Sequence, residues 1–213
     1  MASNEHKNLS EANLHNPKGL SLATNDTVCS KDDAGALAWL DKSSLKVAKK
    51  SFAGYCTPIV TYQYPGSFHN NNRSPYDLSV DYGSATISAA TTVLQKKFFK
   101  IGTHNIMDEA GEVQKCLVQI TSPDAQDFTV ALVKYTPSSS VTTAYPVVLF
   151  EKAVVGGSSS DKVISYALTV PGDFTNVDVA AGDHLFLMVK SDEAEPAAVE
   201  VIVSVAIELG YAN

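Results

Sequence analysis

The sequence predicts an all-β protein: an antiparallel, jelly-roll-like β-sandwich preceded by an extended N-terminal arm. Three observations lead to this fold class. Apolar residues alternate near the C-terminus, short segments rich in Val, Ile, Tyr and Phe recur between turn residues, and the first forty residues are polar with isolated apolar positions. Alternation with a period of two indicates half-buried strands, and many short strands without intervening helices indicate a sandwich.

Residues 1–40 are predicted to form the arm. They are rich in Asn, Ser, Lys and Asp, and their apolar residues form neither a helical stripe nor a long alternation. Such a segment cannot bury enough apolar surface to offset its ordering entropy, so we expect it to become ordered against a partner. Residues 41–55 are expected to be a linker that either stays irregular or forms a short helix around 45–50. Residues 56–213 are expected to form the sandwich domain.

The sandwich is expected to contain roughly seven to nine strands. The last strand has the clearest pattern, since the odd-numbered positions from Val199 to Leu209 are apolar whereas Glu200, Ser204 and Glu208 lie opposite them. The other predicted strands are 58–64, 78–82, 97–103, 113–121, 128–135, 147–152, 163–170 and 184–191. Residues that favour turns, chiefly Gly, Pro, Asp and Ser, separate most of them.

Composition excludes several classes of protein. The 213-residue chain has a net charge of −7, and an acidic chain repels phosphate backbones, so we expect no nucleic-acid partner. No apolar run approaches the roughly 18 residues of a membrane helix, and the first residues lack a signal-peptide core, so synthesis in a cytosol without membrane insertion is expected. Cys29, Cys56 and Cys116 are odd in number and widely spaced, which favours reduced thiols over disulfides or a zinc site.

A search for chemistry finds no catalytic or metal-binding pattern. The histidines lack ligand spacing, and no nucleophile motif is present, so we predict no enzyme activity, no metal and no cofactor. These histidines are His6, His15, His69, His104 and His184. The paired acidic residues fall in turns, where they are expected to be solvated. They are Asp32, Asp33, Asp108, Glu109, Asp192, Glu193 and Glu195. A glycosidase would need two such acids across a cleft, and a hydrolase is therefore the lowest-ranked alternative.

A short segment of the arm carries a resemblance. The sequence Asn-Leu-His-Asn-Pro-Lys-Gly at 13–19 is followed by small residues, a Thr-Val pair at 27–28, an acidic stretch ending in Gly35, and Trp39. This order resembles an N-terminal segment of tailed-phage virion proteins, including head fibres and tail-associated fibres, in which a Leu-His-x-Pro-Lys-Gly motif precedes the same features. The similarity covers about residues 9–40.

The resemblance implies that the arm attaches the chain to the capsid or to another virion protein. The residues expected to make this contact are Leu14, His15, Pro17, Lys18, Gly19, Leu20 and Trp39. Physical chemistry agrees with the idea, because Pro17 favours an extended backbone and Trp is often the dominant side chain of an interface. The alternative is that the arm folds back as an edge of the chain's own sandwich.

The resulting functional prediction is a structural protein of a tailed-phage virion, a head fibre or decoration protein made in the host bacterial cytoplasm. The alternative is a receptor-binding or glycan-binding fibre module that grips a host-surface glycan. Exposed aromatic residues on sandwich loops would favour the alternative, and Phe68, Tyr76 and Tyr145 are the candidates. The tyrosines at 55, 62, 64, 76 and 82 either pack in the core or stack on a glycan, and packing is the favoured interpretation.

A homotrimer is predicted from surplus apolar surface. Ile202 and Ala206 lie opposite the Val ladder of the last strand, and the run that contains Phe186 and Met188 is apolar without interruption. One sandwich needs only one buried face per sheet, so we expect these four residues to lie between subunits. The likeness to trimeric fibre heads favours three copies over two.

Overall fold

The computed structural model describes residues 27–31, 37–41, 47–66, 80–100, 104–122, 126–155, 162–196 and 199–211. The chain divides into two compact units. The first consists of Met1–Lys46 with Asn213, and the second of Val47–Ala212. The boundary therefore lies within the predicted linker.

The first unit contains a β-hairpin. Strand β1 (Thr27–Lys31) pairs antiparallel with β2 (Leu37–Asp41), and Cys29 lies opposite Trp39. Within the predicted arm, β1 and β2 therefore pair with each other between Thr27 and Asp41. β-Branched and apolar residues flank a sequence of turn-forming residues, Asp-Asp-Ala-Gly, and this combination favours a hairpin over an isolated extended segment.

The second unit is an antiparallel sandwich of two sheets, as the sequence predicts. Sheet I has the order β12–β8–β15–β3, with β13 paired to β8, and sheet II has the order β11–β9–β14–β4–β5, with β7 paired to β14. A further pair joins β6 and β10. The strands are β3 (Val47–Cys56), β4 (Gln63–Tyr64), β5 (Val80–Asp81), β6 (Val93–Leu94), β7 (His104–Ile106), β8 (Gly111–Ser122), β9 (Phe128–Tyr135), β10 (Thr143–Ala144), β11 (Val147–Val154), β12 (Lys162–Leu168), β13 (Asp178–Val179), β14 (His184–Ser191) and β15 (Val201–Tyr211).

The main core lies between the two sheets. Strand β15 contributes the Val ladder predicted from its alternation, with Val201, Val203 and Val205 all fully buried. Alternate residues of β9 and β14, such as Leu132 and Leu187, face the ladder from sheet II. Burial of side chains of this size contributes about 1.5–3 kcal/mol each, which makes this layer the dominant stabilising feature of the sandwich.

A second core covers the outer face of sheet II. The segment that follows β5 and the β6–β10 pair lie over this face, and with it they bury the side chains of Tyr62, Tyr64, Tyr82, Val93, Ala131, Val133, Tyr135, Ala144, Phe186 and Met188. Strand β14 is therefore apolar without interruption because both of its faces are buried within one chain. This corrects the assignment of Phe186 and Met188 to a subunit interface, since neither side chain reaches the surface.

Four predicted elements are described differently in the structure. Residues 47–56, expected to be a linker with a short helix, form edge strand β3, so the sandwich begins at Val47 and not at residue 56. Lysines near its start hid the alternation, and lysines are common on edge strands. The predicted strand at 97–103 is largely replaced by a 3-10 helix, Gln95–Lys100, because Lys-Lys-Phe-Phe-Lys does not alternate. The strand predicted at 58–64 shortens to Gln63–Tyr64, and of the strand predicted at 78–82 the structure describes Val80–Asp81 as strand.

Candidate functional site

The predicted attachment residues lie mostly outside the described part of the chain. This applies to Leu14, His15, Pro17, Lys18, Gly19 and Leu20. Trp39 is placed by its backbone in β2, opposite Cys29. Attachment through residues 9–40 therefore stays a prediction.

An open groove lies at one end of the outer face of sheet II, beside the segment that covers the second core. It has a volume of about 400 Å³ and is lined by Tyr62, Ala85, Thr86, Ile87, Thr129, Glu151, Ala153 and Lys190. Strands β9, β11 and β14 bring the last four of these residues together. The register pairs Thr129 with both Ala153 and Lys190 across neighbouring strands.

The polar groups of this groove form one connected network. The Tyr62 hydroxyl donates a hydrogen bond of 2.7 Å to Oε1 of Glu151. Lys190 lies 5.6 Å from the centre of the Tyr62 ring, and its Nζ is 2.9 Å from Oδ1 of Asp192. Thr129 donates to both carboxylate oxygens of Asp192, at 3.0 and 2.7 Å. The groove thus combines hydroxyl groups, an ammonium and carboxylates, a set that suits a polar, uncharged ligand with several hydroxyl groups.

Burial sets the protonation state of Tyr62. Removal from solvent raises the pKa of its hydroxyl well above the usual value, and the hydrogen bond to Glu151 raises that pKa further. The hydroxyl therefore remains protonated and acts as a donor throughout the physiological pH range. It does not supply a general base.

Sequence reasoning missed the groove because its residues come from distant parts of the chain. Thr129 and Lys190 did leave a signal, since they interrupt strands that are otherwise almost entirely apolar. In a sheet buried on both faces, a polar residue marks the point where the cover ends. Glu151 left no comparable signal, because β11 is an edge strand with several polar residues.

The tyrosines of the second core have structural roles. The hydroxyls of Tyr64 and Tyr135 lie 2.6 Å apart in a fully buried hydrogen bond. The Tyr82 hydroxyl donates to the carbonyl of Thr91 at 3.2 Å. Burial raises the pKa of all three hydroxyls. The favoured interpretation of the tyrosine-rich segment, packing and not glycan stacking, is confirmed for Tyr62, Tyr64 and Tyr82, while Tyr76 lies outside the described residues.

Two histidines on neighbouring strands stack on each other. The rings of His104 on β7 and His184 on β14 are 5.5 Å apart and tilted by 9°. Burial lowers the pKa of His184, His104 lowers it further, and Asp183 opposes the shift. Buried Asp183 accepts hydrogen bonds from Thr136 Oγ1 at 2.6 Å and from the amide of Ala180 at 2.8 Å. Within the described ranges no three His, Cys, Asp or Glu side chains cluster closely enough to hold a metal ion.

The two cysteines of the sandwich are buried and reduced. Burial raises the pKa of Cys56 and that of Cys116 to about 12 each. Thiols in this state are poor nucleophiles, so both cysteines act as small apolar residues of the core. Cys29 belongs to β1, and its side chain is not described.

The described turn acids have ordinary surface contacts. Asp108 lies 3.6 Å from Lys50, and Glu193 accepts a 3.2 Å hydrogen bond from the amide of Asp127. Asp32 and Asp33 lie outside the described residues. No helix in the described part of the chain is long and apolar enough to cross a membrane.

Comparisons with known proteins give no family. No family model and no curated protein matches the chain. Solved structures that are similar at a low level include three examples. An aminopeptidase from the marine sediment archaeon Thaumarchaeota archaeon is 9% identical, with 84% of this chain and 40% of that chain covered and a TM-score of 0.38. Eiger TNF from S. frugiperda is 15% identical, with 73% of this chain and 94% of that chain covered and a TM-score of 0.35. The CBM22-1-GH10 modules of a Clostridium thermocellum xylanase are 17% identical, with 75% of this chain and 26% of that chain covered and a TM-score of 0.29. This chain thus spans less than half of the aminopeptidase. At these scores the likeness carries no information about what the chain binds or catalyses.

Proposed function

We propose that this chain is a structural protein of a tailed-phage virion, a head fibre or decoration protein. Residues 9–40 attach it to the capsid or another virion protein, and the β-sandwich is displayed on the particle surface. Synthesis takes place in the host bacterial cytoplasm, and the role involves no catalysis. The proposed assembly is a homotrimer.

The division of the chain into two units is the observation that carries this proposal. The sandwich unit, Val47–Ala212, has two cores of its own, one between its sheets and one over sheet II. The segment at 13–19, which resembles the attachment sequence of virion proteins, belongs to the other unit.

The proposal is tested by following the full chain into phage particles. An epitope-tagged copy is expressed during infection by the phage whose genome encodes the chain, and the particles are purified on a density gradient. The wild-type chain is expected to co-sediment with particles, and Trp39→Ala with Leu14→Ala is expected to reduce its incorporation at least tenfold, about the effect of losing 1.4 kcal/mol of binding free energy.

Tyr145→Ala is the matched control, because this exposed aromatic residue lies on the sandwich and outside the arm. It is expected to co-sediment like the wild type. A chain that is absent from purified particles, or a double variant that is incorporated normally, contradicts the proposal.

A glycan-binding fibre module is the second candidate, and the groove at Tyr62 favours it. Its hydroxyl, ammonium and carboxylate groups supply hydrogen-bond donors and acceptors of the kind that orient a polar ligand in a pocket. Glycan-array screening of the full chain, with Glu151→Gln and Lys190→Met as variants, tests this function. A sugar signal that both variants abolish would support it, and a signal that neither changes would place the ligand elsewhere.

A further inference from the structure

The outer face of sheet I carries a group of exposed apolar side chains. It is formed by alternate residues of four strands, and we call it the sheet I face. Its members are Lys49, Ser51 and Ala53 of β3, Lys115, Leu117, Gln119 and Thr121 of β8, Val163, Ser165 and Ala167 of β12, and Ile202, Ser204, Ala206 and Glu208 of β15. The outer face of sheet II, by contrast, is covered by the second core.

Large apolar side chains project from this face into solvent. Leu117 is 38% exposed, Ile202 41% and Val163 61%. The register places Leu117 beside Ala206 and Ala167, whose small side chains leave a depression of about 420 Å³. The face therefore presents both projecting apolar side chains and a hollow that could receive them, as a self-complementary surface does.

The size of the sheet I face matches what a stable interface needs. Neighbouring strands lie about 4.8 Å apart and rise about 3.4 Å per residue, so the four strands, of 10, 12, 7 and 11 residues, cover about 650 Å². Stable interfaces bury about 600–1,000 Å² on each partner. The area of the face thus falls at the lower end of this range.

The charge of the face favours a second copy of the chain as that partner. The whole chain carries −7, so most pairs of its surfaces repel one another. Charged side chains of the outer face of sheet I lie toward one end, at Lys49, Lys115 and Glu208, with Glu112 of β8 and Asp178 of β13 beyond them. The Lys115 ammonium is 3.0 Å from Glu208. The three rows that contain Thr121, Gln119 and Leu117 carry no charged residue, so two copies meet there without the repulsion of their acidic surfaces.

We propose that the sheet I face is the interface between copies of this chain, with Ile202 and Leu117 of one copy packed into the hollow at Ala206 of another. This interface deepens the proposed function: it rests on the proposed assembly of several copies but not on attachment to a virion. The proposed interface contains Ile202 and Ala206, as the sequence predicts. It contains Leu117 and Val163 in place of the predicted Phe186 and Met188.

The test is the molar mass of the full chain in solution at micromolar concentration, measured by light scattering after size exclusion. The wild type is expected to be an oligomer. Ile202→Asp and Ser204→Arg are each expected to shift it to a monomer, since the first places a charge and the second a bulky side chain in the interface. Two variants are used so that a folding defect in one of them does not decide the result.

Val147→Asp is the matched control. Val147 is also 41% exposed, but it lies on β11 of sheet II. This variant is expected to keep the wild-type molar mass, and circular dichroism verifies that all three variants are folded. A monomeric wild type would overturn the proposal, whether the face is bare or protected by residues 1–46. An oligomer that survives both folded face variants would also overturn it.

Discussion

At the scale of single residues, the second core depends on a few buried polar contacts. Tyr64 and Tyr135 share a hydrogen bond with no exposure to solvent, next to the ring of Phe186. A buried hydroxyl that loses its partner retains the cost of its desolvation. Removal of the second hydroxyl should therefore cost less than removal of the first.

Tyr135→Phe is expected to lower the free energy of unfolding by about 1–3 kcal/mol, because it leaves the Tyr64 hydroxyl without this partner. The double variant Tyr64→Phe/Tyr135→Phe is expected to lose less than twice that amount. Urea denaturation of all variants measures the effect, with exposed Tyr145→Phe as a control that should change little. Fully additive losses would show that the two hydroxyls do not interact.

His184 gives the sandwich a dependence on pH. Burial holds the pKa of His184 below its unfolded value, so the folded state binds fewer protons than the unfolded state. Its contribution to stability is present above the unfolded pKa of about 6.5 and is lost as the pH falls toward the folded pKa. His184→Gln is therefore expected to reduce the loss of thermal stability between about pH 7.5 and pH 5.5. Melting curves in matched buffers measure it, and equal slopes would contradict this assignment.

At the scale of elements, the predictive value of the sequence depended on where each strand lies. The boundaries of β9 and β14 could be read directly, because central strands buried on both faces are apolar and end at polar residues. β15 was recognisable from its alternation, although it begins two residues after the predicted start. Edge strand β3 was not recognised and the start of β4 was misplaced, since both strands pair with residues far away in sequence.

The residues of the groove could not be grouped from the sequence, for the same reason. Tyr62, Thr129, Glu151 and Lys190 meet only because β9, β11 and β14 pair in a particular register. The register cannot be inferred from the spacing of these residues in the sequence. The identities of the residues were visible, but their proximity was not.

The cover over sheet II leads to a prediction about β14. Met188 is fully buried by residues of its own chain, so Met188→Ala is expected to lower the free energy of unfolding by about 2–5 kcal/mol. Because the contacts are intramolecular, the loss should be the same at low and high protein concentration. Chemical denaturation at two concentrations a hundredfold apart checks this. A loss of unfolding free energy that becomes smaller on dilution would indicate that Met188 lies at a subunit interface.

At the scale of the whole molecule, the two units are expected to respond differently to protease. The sandwich unit begins at Val47, directly after Lys46. Limited trypsin digestion of the full chain is expected to cut at Lys18 and between the units, at Lys42 or Lys46, and to leave a stable fragment that begins at Ser43 or Val47. Mass spectrometry identifies the cut sites. Protection of Lys18 in the free protein would show that the arm is already packed, which would remove support for attachment to a virion.

The two cores of the sandwich unit share strands β9 and β14. Leu132 and Leu187 face one core, while Val133 and Met188 face the other. Loss of either core exposes an apolar face of the same two strands, so neither layer can melt while the other stays intact at low free-energy cost. Unfolding should therefore be a single cooperative transition, with the amides of β9 and β14 the slowest to exchange with solvent. The sheet that links the cores makes their stabilities inseparable.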